Sequence, residues 1–320
     1  MNYKSYADLN EDIRRNITQL HNKQYDLIVG LPRSGMIPAY IIALLLNVEC
    51  TDLRSYIDNR PLKKGSTRKL KRSVESAHAA KNVLIVDDSI LTGNSLANDL
   101  LLIPENLRNR VDTLAIYSSE EKRQDVDFIF CHLPTPRLFE WNIFHRNASK
   151  LTCFDIDGVL CVDPTKGQND DGEKYIDFIL NAPPLFLPTA RIHALVTSRL
   201  EKYRPETEQW MRKHGVEYDH LVMLDLPNKE ARIEAKAHGK HKANYFKKSD
   251  AVFFIESDEK QAVEICQLSG KPVYCVSSNT MYNSDFISVV KNNPKQLRRY
   301  LRRFKSRIAA GLNKITKKAT

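Results

Sequence analysis

The sequence contains no long hydrophobic run. No apolar stretch in its 320 residues approaches the ~18 residues that a membrane-spanning helix requires. The first residues lack the apolar segment of a secretory signal, so we expect a cytoplasmic protein. None of the six cysteines forms a Cys-x-x-Cys pair, which favours buried, reduced thiols over a disulfide framework.

Acidic residues are absent from the C-terminal segment. Residues 286–320 contain eleven Lys and Arg and no Asp or Glu, whereas the rest of the chain has 38 basic and 39 acidic residues. The positive net charge therefore belongs to this segment alone. This distribution argues against a nucleic-acid-binding core and for an appended tail with its own partner.

Strand-like and helix-like segments alternate twice along the chain, which predicts an α/β protein with two Rossmann-like parallel-sheet domains. We place these domains at 1–148 and 149–285, with the basic tail at 286–320. Strands are predicted at 26–31, 82–88, 112–118, 127–133, 151–157, 192–198, 220–224, 251–257 and 273–277. Helices are predicted at 36–46, 94–102, 205–214 and 259–268.

The first candidate site follows the aliphatic run 83–86, which predicts a strand covered on both faces. Asp87 and Asp88 come at its carboxyl end, where open α/β sheets bind ligands. Four small polar residues then begin a predicted helix: Thr92, Gly93, Asn94 and Ser95. Because a helix start presents free N–H groups, this pattern suits a phosphosugar whose ribose hydroxyls face the carboxylates.

A second strand and turn precede this one. The apolar run 27–31 leads into a short polar turn that contains Arg33, Ser34 and Gly35 and suits an anion. Between the two motifs, residues 60–72 include seven basic residues and no acid.

Residues 83–95 closely resemble the phosphoribosyl pyrophosphate (PRPP) signature of type I phosphoribosyltransferases. The resemblance implies that Arg33, Ser34 and Gly35 form the pyrophosphate loop and that 60–72 is a mobile lid, in which Lys63 or Lys64 would face PRPP. It also implies Mg²⁺ as cofactor, with Asp87 and Asp88 catalytic. The predicted acceptor hood contains Phe139 and Trp141; Trp141 either stacks on the acceptor or belongs to the core.

The second candidate site begins at Asp155-Ile156-Asp157-Gly158, after another apolar run. This motif resembles motif I of the haloacid-dehalogenase (HAD) superfamily. The resemblance implies that Asp155 attacks phosphorus and that Asp157 is the acid/base. It implies a small or absent cap domain, because only about forty residues separate motifs I and II.

Three further segments resemble the remaining HAD motifs in order. Thr197, with Ser198 as alternative, would bind the phosphoryl oxygens. Lys242 is the preferred motif III lysine, although Lys236, Lys240 and Lys247 are nearby. The resemblance also implies a Mg²⁺ site, whose predicted ligands are Asp155, Asp157, Glu256 and Asp258.

Apolar residues of the tail recur at helical spacing at Leu297, Leu301, Phe304, Ile308, Leu312 and Ile315. Basic residues lie on the other faces, which favours attachment of 294–318 to an anionic membrane surface. The alternatives are a helix docked on the protein body and, less favoured, nucleic-acid binding.

Together, the two resemblances imply a bifunctional enzyme that transfers 5-phosphoribose from PRPP and then removes the 5-phosphate. Our leading hypothesis is a ribofuranosyltransferase of bacterial capsule or O-antigen synthesis. It would act on a lipid-linked glycan at the cytoplasmic face of the inner membrane. The alternatives are synthesis of a nucleoside or a nucleoside-like metabolite, and a regulator that senses PRPP.

Overall fold

The computed structural model describes residues 1–283, except for 64, 66–68, 71, 146 and 236. The chain divides into two compact units, Met1–Ile143 and a second that begins at Phe144. The predicted amphipathic helix of the tail lies outside the described residues. Within the described residues, no helix has the length and apolar character needed to cross a membrane.

The first unit contains a five-stranded parallel sheet in the order β3-β2-β4-β5-β6. Its strands and helices are β1 (Asn2–Lys4), α1 (Tyr6–Asn16), β2 (Leu27–Gly30), α2 (Met36–Leu46), β3 (Glu49–Asp52), α3 (Leu53–Ile57), β4 (Val83–Ile90), α4 (Asn94–Leu101), α5 (Glu105–Arg108), β5 (Val111–Ser118), β6 (Phe128–His132) and β7 (Arg137–Phe139). Alternate residues of the central strands belong to two apolar cores. Ile28 and Leu84 belong to one core, and Leu27 and Val83 belong to the other. Burial on both faces explains why these strands are continuously aliphatic.

A small two-stranded sheet lies beside this main sheet. Strand β1 pairs in parallel with β7, with Tyr3 opposite Leu138. Helix α1 follows β1 directly and begins with a capping box between Ser5 and Asp8. The N-terminal residues thus pair with the strand that carries Phe139 and closely precedes Trp141, the two predicted hood residues.

The second unit contains a six-stranded sheet in the order β10-β9-β8-β11-β12-β13. Only β13 is antiparallel to its neighbour. Its strands and helices are β8 (Thr152–Phe154), α6 (Glu173–Asn181), β9 (Ile192–Leu200), α7 (Arg204–Lys213), β10 (Tyr218–Leu224), α8 (Lys229–Glu234), α9 (His238–Lys248), β11 (Phe253–Glu256), α10 (Glu259–Ser269), β12 (Val273–Cys275) and β13 (Thr280–Tyr282).

The predicted α/β class with parallel sheets is confirmed, and the predicted strand ends differ from the structure by up to a few residues, two of them near the candidate sites. Strand β4 continues two residues past Asp88, because Ser89 and Ile90 still pair with β5. Strand β8 ends at Phe154 rather than at residue 157, so Asp155 and Asp157 lie in the loop that follows it. The assignment of the second unit to a phosphatase family stays a prediction.

Candidate functional site

The two predicted loops of the first unit meet at the carboxyl ends of β2 and β4. These strands are neighbours, with Gly30 opposite Val86. A Cβ atom on Gly35 would lie 2.6 Å from the Leu31 carbonyl oxygen and 2.7 Å from that of Val86. Only glycine allows the turn after β2 to approach β4 this closely. The arrangement brings the predicted pyrophosphate loop against the backbone that carries Asp87.

The acidic pair at this edge is largely removed from water. Asp88 is 4% exposed. Burial, together with the negative charge of Asp88, raises the pKa of Asp87 to about 8. Two crowded carboxylates favour hydroxyl donors or a cation in front of them. They therefore fit a Mg²⁺ complex of a phosphorylated ribose, as the sequence predicts.

Trp141 contacts the acidic pair directly. Its indole Nε1–H donates a hydrogen bond of 2.6 Å to Asp88 Oδ2. Its ring packs on Phe139, with centroids 4.9 Å apart, and on Tyr6 at 5.6 Å. Phe139 is buried and Trp141 half-buried. Trp141 therefore packs with aromatic neighbours, as the core alternative expects. Its bond to Asp88 is a feature that the sequence did not indicate.

The predicted phosphate cradle lies at the start of α4. Thr92, Asn94 and Ser95 are exposed, and Gly93 has a φ of +89°. Arg33 and Lys63 are also exposed, and Ser34 is half-buried, whereas Lys64 lies outside the described residues.

The raised pKa of Asp87 gives stability a pH dependence. The folded state keeps a proton that the unfolded chain releases near pH 4, so the carboxyl lowers the free energy of unfolding as pH rises toward about 8. Asparagine does not titrate, so Asp87→Asn should not show this fall in the free energy of unfolding. The variant should therefore become more stable relative to the unaltered protein as pH rises from 5 to 8. Urea unfolding at several pH values measures the difference. A gain that is independent of pH would contradict the assignment.

In the second unit, a buried lysine connects two carboxylates. Lys242 Nζ lies 2.6 Å from Asp155 Oδ2, 2.7 Å from Glu256 Oε2 and 2.9 Å from Gln261 Oε1. Burial and the charge of Glu256 raise the pKa of Asp155, while Lys242 opposes the rise. Burial by itself would lower the pKa of Lys242, but Asp155 and Glu256 hold it above its usual range. Of the candidate lysines that the structure describes, Lys242 is thus the one in contact with the acidic motif, and Lys236 lies outside the described residues.

Asp157 pairs with an arginine that the sequence analysis did not single out. Arg199 is 1% exposed, and its Nη2 lies 2.6 Å from Asp157 Oδ1. Its Nε bonds both oxygens of the carboxylate at 3.2 Å. Burial alone would lower the pKa of Arg199, but Asp157 raises it above its usual range. The second carboxylate of the motif therefore has a fixed orientation.

The other predicted residues of this site have different surroundings. Thr197 is buried on β9, the neighbour of β8, and its Oγ1 accepts a hydrogen bond from the Arg199 backbone N–H. Ser198 has a buried hydroxyl for which the part of the chain that the structure describes offers no hydrogen-bond partner. Asp258 accepts a bond from the Gln261 N–H and caps α10.

The four predicted metal ligands have different sets of hydrogen-bond partners in the structure. Asp155 faces Lys242, and Asp157 faces Arg199. Glu256 Oε1 accepts bonds from the backbone N–H groups of residues 257 and 258. Within the described ranges, no three His, Cys, Asp or Glu side chains are placed to hold a metal ion. The set of four Mg²⁺ ligands therefore stays a prediction from the sequence.

Replacement of the buried Lys242 should strongly destabilise the second unit. Lys242→Met leaves Asp155 and Glu256 buried without their cation, which costs about 3–5 kcal/mol. Urea unfolding should show a large fall in the midpoint. Lys240→Met, at an exposed position of the same helix, should leave the midpoint near that of the unaltered protein. Equal urea midpoints for Lys242→Met and Lys240→Met would contradict a stabilising contact of Lys242 with Asp155 and Glu256.

Comparisons with known proteins agree with the geometry of the first unit. Residues 2–149 match the family model of the phosphoribosyl transferase domain. A xanthine-guanine phosphoribosyltransferase of Chromohalobacter salexigens is 29% identical over 123 residues, 38% of this chain and 71% of that protein. An orotate phosphoribosyltransferase of Staphylothermus marinus is 33% identical over 93 residues, 29% of this chain and 42% of that protein.

A purine phosphoribosyltransferase structure from Pyrococcus horikoshii is similar at 17% identity with a TM-score of 0.31, over 44% of this chain and 92% of that one. The family match covers both strand–turn–helix motifs and the acidic pair between them. Residues 2–149 of this chain are therefore similar to phosphoribosyl transferase domains.

Proposed function

We propose that the first unit transfers 5-phosphoribose from PRPP to an acceptor. The observation that carries this proposal is the pair Asp87 and Asp88 between two anion-binding turns at one sheet edge. The carboxylates hold the ribose hydroxyls and offset the positive charge that develops on the ring as pyrophosphate departs. The 5-phosphate binds the N–H groups at the start of α4, and the pyrophosphate binds the turn that contains Arg33.

Asp87 and Asp88 would hold a Mg²⁺ ion together with the donor, and the ion would supply positive charge that stabilises the departing pyrophosphate. Trp141 fixes the orientation of Asp88 before the substrate arrives. The cations of the 60–72 segment are proposed to cover the departing pyrophosphate.

We further propose that the second unit removes the 5-phosphate from the adduct. Asp155 attacks phosphorus and forms an aspartyl-phosphate, and Asp157 protonates the leaving oxygen and then activates water. Three features support this proposal. Asp155, Thr197 and Glu256 lie toward the carboxyl ends of the neighbouring parallel strands β8, β9 and β11. Lys242 lies against Asp155, where it can offset phosphoryl charge, and Arg199 orients Asp157.

The proposed acceptor is a lipid-linked glycan, and the proposed product is a β-ribofuranosyl residue of a surface polysaccharide. Inversion at the α-anomeric carbon of PRPP gives the β linkage, and phosphate removal leaves an unsubstituted pentose. We propose that the basic segment 294–318, which lies outside the described residues, attaches the enzyme to the cytoplasmic face of the inner membrane.

The second candidate acceptor is a nucleobase. The names of the similar proteins, xanthine-guanine and orotate phosphoribosyltransferase, favour this candidate for the first unit. A PRPP-sensing regulator is the non-enzymatic alternative.

The discriminating experiment offers the full chain PRPP and Mg²⁺ together with either a pool of nucleobases or a pool of oligosaccharides on synthetic aglycones. Chromatography of the products then shows which pool gains a ribosyl group. A modified oligosaccharide supports the leading proposal, and a nucleoside supports the second candidate. PRPP binding without any product would support the regulator.

A further inference from the structure

A buried arginine lies behind the proposed phosphate cradle. Arg123 belongs to the segment between β5 and β6, and its side chain is 6% exposed. Its Nη1 donates to the Leu91 carbonyl at 3.0 Å, and its Nη2 donates to the Thr92 carbonyl at 2.9 Å. These two carbonyls belong to successive residues of the turn between β4 and α4. One side chain therefore holds two consecutive peptide units of this turn.

The guanidinium is itself held in place by two acids. Asp125 accepts from Arg123 Nε and Nη2, each at 2.8 Å, and Glu120 accepts from Nη1 at 3.0 Å. A charge that is paired in this way contributes little long-range attraction for an anion. The rigid fork of donors is thus the property of Arg123 that acts on the turn.

Peptide geometry then determines the direction in which the backbone N–H groups of this turn point. In a trans peptide the C=O and the following N–H point to opposite sides. Because the carbonyls of Leu91 and Thr92 face Arg123, the N–H groups of Thr92 and Gly93 face away from it. A Cβ atom on Gly93 would lie only 2.2 Å from Asp125 Oδ2 and 2.7 Å from Arg123 Nη2. The side chains of Arg123 and Asp125 therefore pack directly against the turn.

We propose that Arg123, held by Asp125, is a positioning residue that presets the backbone N–H groups of the turn for the 5-phosphate of the donor. The inference rests on the proposed function of the first unit. The ligand class is a sugar phosphate monoester, and Arg123 stays on the opposite side of the backbone from it. Preset donors save the cost of ordering the turn when the phosphate binds.

The test compares two fragments of PRPP, ribose 5-phosphate and pyrophosphate, by calorimetry on the full chain. Arg123→Ala should weaken ribose 5-phosphate binding by about tenfold, which is the effect of losing one good hydrogen bond between a backbone N–H of the turn and the phosphate. The same variant should bind pyrophosphate within about twofold of the unaltered protein. Arg123→Lys should also weaken it, because a lysine keeps the charge but loses the fork. Asp125→Asn should act in the same direction with a smaller effect, which keeps the test valid if Arg123→Ala does not fold.

Arg108 provides a matched control. It also donates to two backbone carbonyls, those of Ile103 and Leu101, each at 2.9 Å, but at the other end of α4. Arg108→Ala should leave ribose 5-phosphate binding unchanged. Equal weakening of both ligands by Arg123→Ala, or full binding by Arg123→Lys, would overturn the proposal. If the unaltered protein binds neither fragment, the proposed function itself fails, which is a distinct result.

Discussion

Asp155→Asn should abolish phosphate release and leave PRPP-dependent transfer intact. Asparagine keeps the shape of the side chain and can still accept a hydrogen bond from Lys242. It lacks the anionic oxygen that we propose as the nucleophile toward phosphorus, so the phosphatase rate should fall by about 10³-fold or more. The phosphorylated ribosyl adduct should then accumulate. Malachite-green detection of phosphate, together with chromatography of the adduct, measures both effects.

Asp225→Asn is the control for this variant, because Asp225 is an exposed carboxylate of the same unit. It should release phosphate at the rate of the unaltered protein. Full phosphate release by Asp155→Asn would remove Asp155 from the nucleophile position. Loss of transfer together with phosphatase activity would argue against two separate sites.

The second large effect is expected at Asp88. Asp88→Asn removes a negative charge from the edge where we propose that the ribose ring becomes positive, while asparagine can still accept the bond from Trp141. We expect kcat for transfer to fall by about 10²- to 10³-fold. Phosphatase activity on a synthetic ribosyl phosphate should not change, because Asp155 belongs to the other unit.

Asp99→Asn is the matched variant for Asp88. Asp99 is a half-buried carboxylate on α4 whose charge also acts on Asp87. It should keep most of the transfer activity, because Asp99 is on α4 and is not a member of the acidic pair of β4. Equal losses in the two variants would mean that general electrostatics, and not contact with the ribose, explains the effect.

The sequence predicts those features that depend on neighbouring residues. The strand–turn–helix pattern located Asp87 and Asp88 because an aliphatic run, an acidic pair and small polar residues follow one another within 83–95. Strand boundaries were accurate to a few residues for the same reason. Helix α2 has the predicted bounds of 36–46.

Contacts between distant residues were not predictable from these patterns. Trp141 binds Asp88 across 53 positions of sequence, Arg123 holds Leu91 across 32, and Arg199 pairs with Asp157 across 42. No local periodicity encodes such a pair. The short strands β1 and β7 were missed because three residues carry no measurable alternation.

The position of Lys242 was predictable from the sequence only in part. The family pattern indicated a lysine in this region, and four candidates were within a few residues of one another. Helical periodicity puts only Lys242 on the buried face of α9 with Ala243 and Phe246, and the sheet then brings it to Asp155. Packing between elements, and not the motif alone, distinguishes this lysine from the others.

The central claim is that two sites act in succession on one acceptor. Mass spectrometry of the products formed by the full chain with PRPP, Mg²⁺ and the acceptor pools tests it most directly. The unaltered protein should add the mass of a pentose residue, and Asp155→Asn should add the mass of a pentose phosphate to the same acceptor. A product of Asp155→Asn that already lacks its phosphate, or an acceptor modified without PRPP, would contradict the claim.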